Sequence, residues 1–389
     1  MATLLLIIIY IAFISLGLPD SILGSAWPII HMDFNVPISS AGLATMIVSG
    51  GTIISSFFSE KLIRRFGTGK VTAVSVFMTA AGLLGINMAP GFVWLCLLGI
   101  PLGLGAGAVD SALNNFVANN YEAKHMNWLH CFWGVGATSG PFIMSMLIEK
   151  ERGWRAGYAT IGIIQMVLVF CLIISLPLWK KYEKQNEEEV TLKTETSLKS
   201  LIGLKGAKPA FVGFLCYTAV ELTTGLWSSS YLVTIKGISP EKVAKWVSLY
   251  YLGITIGRLV SGFLAMKVNN KNMIRIGQTV ALCGTLFLLL PLPSAGQMIG
   301  LIMIGLGCAP IYPAMLHDTP NRFGKEMSQG IMGIQMAVAY VGSTFVPPLF
   351  GLFAGAAGFY WLPIFLMILV IIMIIASESL NKIMKKNPM

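Results

Sequence analysis

Apolar stretches of about twenty residues recur along this chain, each long enough to cross the roughly 30 Å hydrocarbon core of a bilayer. They fall near 4–28, 38–59, 71–89, 92–118, 127–148, 155–178, 209–233, 243–266, 273–292, 296–317, 328–353 and 358–379. A soluble fold cannot hide so many, whereas in lipid they need no hiding. Only 11% of the residues are charged, against roughly 25% in an average soluble domain. The ten-residue alternation of a membrane barrel is absent from the sequence, so helices remain as the spanning element. The expected fold is therefore all-α, a membrane protein of twelve transmembrane helices. No Lys or Arg precedes Lys61, so the first stretch lacks the basic leader of a secretory signal and is expected to be a retained helix.

Charge placement sets an expected orientation, because basic loops stay on the cytoplasmic side. One set of alternate loops holds twenty Lys and Arg, including Lys61, Arg64, Arg65 and Lys70, seven lysines between Lys180 and Lys208, and Lys267, Lys271, Arg275 and Arg322. The other set holds six: Lys150, Arg152, Arg155, Lys236, Lys242 and Lys245. Arg258 alone sits inside a span. Both termini are thus expected in the cytoplasm of a cell carrying this protein in its inner or plasma membrane. The net charge of +10 is read as a topology signal and a match for lipid headgroups, with no nucleic-acid role. The six cysteines, at 96, 131, 171, 216, 283 and 308, all fall in spans without a CxxC, so neither a disulfide framework nor a metal site is expected.

The longest polar stretch, 180–208, divides the spans six and six. It gives an N-terminal bundle at 1–179, a cytoplasmic linker at 180–208 and a C-terminal bundle at 209–389. The halves carry a weak repeat. Gly103-Leu-Gly105 in span 4 matches Gly305-Leu-Gly307 in span 10, and Gly136-Ala-Thr-Ser-Gly-Pro141 in span 5 matches Gly342-Ser-Thr-Phe-Val-Pro347 in span 11. A six-plus-six repeat is an architecture in which two bundles rock about a central site.

This layout resembles the major facilitator superfamily over essentially the whole chain. Arg64-Arg65-Phe66-Gly67-Thr68-Gly69-Lys70 stands where that superfamily has an Asp-Arg-x-Gly-Arg-Arg loop. Arg65 and Gly67 match, which implies a structural or gating role for both, while Arg64 occupies the acidic position. Span 4 is similar to the fucose-permease group of sugar–proton symporters. Gly107-Ala-Val-Asp110-Ser-Ala112-Leu-Asn114-Asn-Phe116-Val117 lies where that group has Glu, x, Ala, x, Asn, x, Phe, Val, with Asp110 in place of the Glu. Pro19-Asp20-Ser-Ile-Leu in span 1 resembles the group's Asn-Asp-Ile-Leu. The resemblance implies proton coupling at Asp20 and sugar recognition at Asp110. It also implies a polar, sugar-facing stretch at Asn127-Trp128-Leu129-His130-Cys-Phe132-Trp133 in span 5.

The residues point the same way on their own chemistry. A charge at mid-bilayer costs roughly 2.5–3.5 kcal/mol even on the lenient scale, so the few that exist border a polar interior. Asp20, Asp110, His130, Glu221 and Arg258 all lie inside spans. Asp20 is expected in the outer half of the membrane, 16 residues into span 1. Burial favours the neutral form of a carboxyl, so a group there could take up and release a proton as its access to water changes. The alternative is an Asp that caps a helix break beside Pro19. Asp110 and Asn114 share a helical face and could grip sugar hydroxyls, or could only pack span 4. His130 could relay a proton or bond a neighbouring helix. Glu221 is the second-half counterpart of Asp20, and could couple protons or be neutralised by Arg258. Trp133, Trp227, Tyr231, Tyr312, Gln335 and Tyr340 could line a sugar cavity as a set, although each alone could equally serve packing.

No GxxxxGK[ST] phosphate loop, HExxH or GxSxG occurs, so ATP-driven pumping and enzymatic hydrolysis find no support. The leading expectation is a proton-coupled symporter of a small polar solute, most simply a monosaccharide, working by alternating access. No cofactor is expected beyond the coupling ion, H⁺ or else Na⁺. The expected partners are the solute and membrane lipids, and the expected state is a monomer. Two alternatives stand beside it: a drug–proton antiporter of the same fold, and a non-transporting membrane receptor or scaffold. The second is disfavoured because 180–208 holds no recognisable soluble domain.

Overall fold

The computed structural model describes the backbone of residues 2–121, 123–183 and 198–386. Among these residues the chain is helical apart from the short connections between helices, with no strand. Twelve helices are long and apolar enough to span a membrane, the first at Leu4–Asp33, the second at Ile38–Phe66 and the last at Phe359–Lys385. Ten of the spans start and stop within about five residues of the apolar stretches, and span 2 runs seven residues further, to Phe66; at the ends, polar first and last turns extend the helices past the hydrocarbon-like run. Span 12 runs six residues further than the sequence suggests, to Lys385, because Ser377-Glu378-Ser379-Leu380-Asn381 continues as helix.

The chain divides into two compact units. One holds spans 1–6 with the stretch Gly237–Ser248; the other holds span 7, span 8 from Leu249 onward, and spans 9–12. The middle of the polar stretch, 184–197, lies outside the described residues. Its end is a short helix, Leu198–Ile202, whose Leu201 packs with Ala207, Phe323 and Ile331 in the second unit.

Packing inside the two units follows one plan. In the first, span 1 lies along span 5, span 2 along span 4, and span 3 along spans 4 and 6. In the second, span 7 lies along spans 11 and 12, and span 9 along spans 10 and 12. Helices in lipid gain little from burying apolar surface, so association relies on close contact, which small residues permit. The repeated glycines supply it in matching pairs. Gly103 faces the Val48 carbonyl on span 2 and Gly105 the Ser75 carbonyl on span 3. Gly305 faces the Tyr250 carbonyl on span 8 and Gly307 the Gly277 carbonyl on span 9. A Cβ at any of the four would meet backbone that cannot move aside.

Gly67 closes span 2 with φ +83°, and Gly324 precedes the helix of span 11 with φ +76°. Each follows an Arg-Phe pair and turns the chain between helices, a conformation that side-chain-bearing residues seldom adopt. Arg65 stacks its guanidinium 5.3 Å from the Phe66 ring, and Arg64 pairs with Glu60 one turn earlier at 3.4 Å.

Candidate functional site

Span 1 is two helices, Ala2–Asp20 and Ile22–Asp33, joined at Ser21. Proline has no N–H, so Pro19 cannot bond the carbonyl four residues back, that of Ser15. Gln165 on span 6 fills the gap, donating its amide to the Ser15 carbonyl at 2.7 Å. Span 5 has the same defect. Pro141 frees the Ala137 carbonyl, and the Ser21 hydroxyl donates to it at 2.8 Å. Each proline thus leaves an acceptor that a polar side chain from another span takes up. Neither Gln165 nor Ser21 stands out in the sequence by composition, but counting back four residues from an in-span proline would have found the carbonyls they serve.

Three glycines bring spans 1 and 5 together. Gly17 lies against the Trp133 carbonyl, Gly136 against the Ile14 carbonyl, and Gly140 against the Leu18 carbonyl. At this distance Trp133 reaches across, and its indole Nε1 donates to Asp20 Oδ2 at 2.8 Å. Asp20 ends the first helix of span 1, and its carboxylate takes the indole; the N-cap Ser21 of the following helix makes no side-chain cap bond. Span 1 runs five residues beyond the apolar stretch, to Asp33, because Met32 and Asp33 continue the second helix. Asp20 therefore stands just past the middle of its span, 16 residues from Leu4 and 13 from Asp33. Its side chain remains accessible. A carboxylate accessible at that depth needs water or a polar ligand beside it, because lipid would not tolerate the charge.

Asp110 and Asn114 on span 4 are half-buried, and Asn114 Nδ2 donates to Asp110 Oδ1 at 2.9 Å. Among the described residues Asp110 Oδ2 and Asn114 Oδ1 accept no hydrogen bond. Asp110 is close enough to Asp20 for the two charges to interact. Spans 1, 4 and 5 of the first unit therefore gather two carboxylates, one amide and one indole. His130 is exposed near the start of span 5, edge-on to Phe13 at 6.0 Å between ring centroids. The side chain of Asn127 lies outside the described residues.

The second unit holds a different polar centre. Arg258 Nη2 pairs with Glu221 Oε1 at 3.4 Å, and the two side chains are 20% and 10% exposed. Tyr250 donates its hydroxyl to the Glu221 backbone carbonyl at 2.9 Å. Arg258 and Glu221 thus neutralise each other inside the unit. Trp227 and Tyr231 turn their polar ends into the packing: the indole donates to the Pro347 carbonyl at 2.7 Å and the hydroxyl to the Leu288 carbonyl at 2.7 Å. Gln335 is buried and accepts from Thr319 at 3.0 Å. Tyr312 packs against Phe214 and Tyr217, and Tyr340 is exposed.

The profile of the Major Facilitator Superfamily matches residues 9–328 and, in a second overlapping match, 210–380. The chain belongs to the major facilitator superfamily. That superfamily is one of transporters, not enzymes. Among similar superfamily proteins is the glucose/mannose transporter GlcP of Bacillus subtilis, 22% identical over 79% of this chain and 77% of its own length. Bypass of stop codon protein 6 of Saccharomyces cerevisiae is 23% identical over 92% of this chain and 79% of its own. The solved structure of a mutant of the nucleoside transporter NupG shares the superfamily fold, with a TM-score of 0.78 at 11% identity over 97% of this chain and 98% of that one. As a superfamily member, this protein is a multi-pass membrane transporter of small-molecule solutes.

Proposed function

We propose that this transporter is a proton-coupled symporter of a small polar solute, with a monosaccharide as the leading candidate. The observation that carries the reading is the accessible Asp20 carboxylate, held by Trp133 in mid-span beside Asp110 and Asn114. Protonation at Asp20 would remove one of two interacting negative charges. Asp110 and Asn114 then offer two acceptors to sugar hydroxyls, and Trp133 offers a flat face for a pyranose ring. The names of similar proteins support the solute class: a glucose/mannose transporter and, at 25% identity, a hexuronate transporter, both of Bacillus subtilis. A cis,cis-muconate transport protein at 21% identity keeps small organic acids in view.

In this reading the bundles at 1–179 and 209–389 alternate access about the solute, with 180–208 as a cytoplasmic linker, in a cell membrane with both termini inside. H⁺ is the coupling ion, and Na⁺ is the alternative. Glu221 stays a secondary coupling group, because Arg258 already balances its charge.

The test is uptake of labelled sugars into proteoliposomes under an imposed pH gradient. Gradient-driven uptake that disappears in Asp20→Asn, with downhill exchange retained, supports the coupling role. Sugar uptake indifferent to the gradient in the native protein defeats it, and uptake driven equally by a Na⁺ gradient reassigns the ion.

A further inference from the structure

At one end of the second unit, where spans 7 and 9 begin and span 12 ends, a small recess of about 20 Å³ opens beside Pro209, Arg275, Arg322 and Asn381. Its polar wall is a continuous relay. Arg322 Nε donates to Asp318 at 2.5 Å and Arg322 Nη2 to Asn381 at 3.0 Å. Asn381 donates to Glu378 at 3.2 Å, and Arg275 grips Glu378 through Nε and Nη2 at 2.7 and 2.6 Å. Five side chains from three segments hold one another in place, with both guanidiniums tethered through two nitrogens. Among the described residues the Nη1 of each carries no hydrogen bond. Phe214, Ile274, Met315 and Phe323 give the recess an apolar floor.

Charge decides what fits. Arg275 cancels Glu378, and Arg322 cancels Asp318. Lys271, exposed at the rim, is left over. The recess therefore presents one uncompensated positive charge, unused guanidinium donors and an amide, beside apolar surface. We propose that it is a binding site for a phosphate group of about one negative charge, the chemistry of a phosphodiester. Guanidinium forks suit such an oxyanion. The apolar floor suits the glycerol and first methylenes of a lipid, and a lipid headgroup and a free phosphate share the anionic part. This site lies in one unit and does not depend on the transport reading.

The full-length protein in neutral detergent tests it by thermal unfolding, with phosphatidylglycerol, phosphatidylcholine or inorganic phosphate added at equal ionic strength. The expected result is a rise in melting temperature with phosphatidylglycerol and none with phosphatidylcholine. Lys271→Gln, an exposed change, should melt as the native protein does without lipid and bind phosphatidylglycerol roughly tenfold more weakly. Lys267→Gln, at a basic position outside the recess, should keep native affinity. The paired change Arg275→Gln with Glu378→Gln, which strands no charge, should also lose the response. A rise with inorganic phosphate alone that Lys271→Gln abolishes assigns the site to the free anion. Equal stabilisation by both lipids, or equal losses in Lys271→Gln and Lys267→Gln, overturns the proposal.

Discussion

The indole of Trp133 and the carboxylate of Asp20 meet at 2.8 Å although 113 residues separate them. The contact exists because three glycines let spans 1 and 5 touch backbone to backbone, and because span 1 breaks one residue after Asp20. Helix packing sets the distance, and the break leaves the carboxylate accessible.

Trp133→Phe keeps most of the ring and removes the N–H. A hydrogen bond to a charged group is worth about 1.5–3 kcal/mol. Uptake efficiency should fall by about tenfold or more, while the melting temperature moves little because the site is accessible. Native uptake in Trp133→Phe would leave the hydrogen bond without a functional role.

Gln165→Leu deprives the Ser15 carbonyl of its donor. Polar contacts inside membrane proteins average about 0.6 kcal/mol and reach about 1.7, so a loss of about 1 kcal/mol is expected in an unfolding titration. The cause can be isolated. Pro19→Ala gives the Ser15 carbonyl a backbone N–H again, so Gln165→Leu should cost less on that background. A double-mutant cycle reads the difference as a coupling energy, and a coupling of zero would reject the account.

The glycine seams predict twin effects in the two units. Gly103→Ala and Gly305→Ala each push a methyl against a carbonyl of the neighbouring helix, and each should destabilise by about 1–3 kcal/mol. Gly50→Ala and Gly333→Ala, where nothing lies within 4 Å of the added carbon, should leave melting unchanged or raise it. Melting temperatures in one detergent compare all four directly.

Arg258→Met strands the Glu221 carboxylate in a largely buried setting. Breaking a buried pair from one side costs about 3–5 kcal/mol, somewhat less here because both groups keep some exposure. Joint replacement with Glu221→Gln should recover most of the loss. Denaturation of the single and double variants separates this from a coupling role, which uptake under a pH gradient reads independently.

The spans were legible in the sequence because bilayer thickness acts directly on composition: a run either covers the hydrocarbon or does not. The break in span 1 was half-legible, since Pro19 marks it while Ser21 and Gln165, which repair the freed carbonyls, lie far apart in the chain. Which way Trp227 and Tyr231 point was not legible. Span 7 is buried on most of its surface, so no polar stripe marks the side that faces a cavity. The Asp20–Trp133 contact was hidden for another reason. Both residues were singled out, but pairing them requires the rotation of two helices about their axes, which the glycine contacts set.

The matched glycines also record how the two halves have changed in length. From the Val48 carbonyl to Gly103 is 55 residues, and from the Tyr250 carbonyl to Gly305 is again 55. From Ser75 to Gly105 and from Gly277 to Gly307 the interval is 30 in both. If the halves descend from one ancestral unit, these stretches have kept their net length and diverged by substitution. The next interval differs: Gly105 to Gly136 spans 31 residues, and Gly307 to Gly342 spans 35. The four extra residues amount to about one helical turn. They fall where the first half runs as one helix, Phe92–Asn120, and the second breaks into Ile311–His317 and Thr319–Phe323. Arg322, in the wall of the basic recess, sits in that longer stretch, so the four residues by which the halves differ and one wall of the recess belong to the same piece of chain.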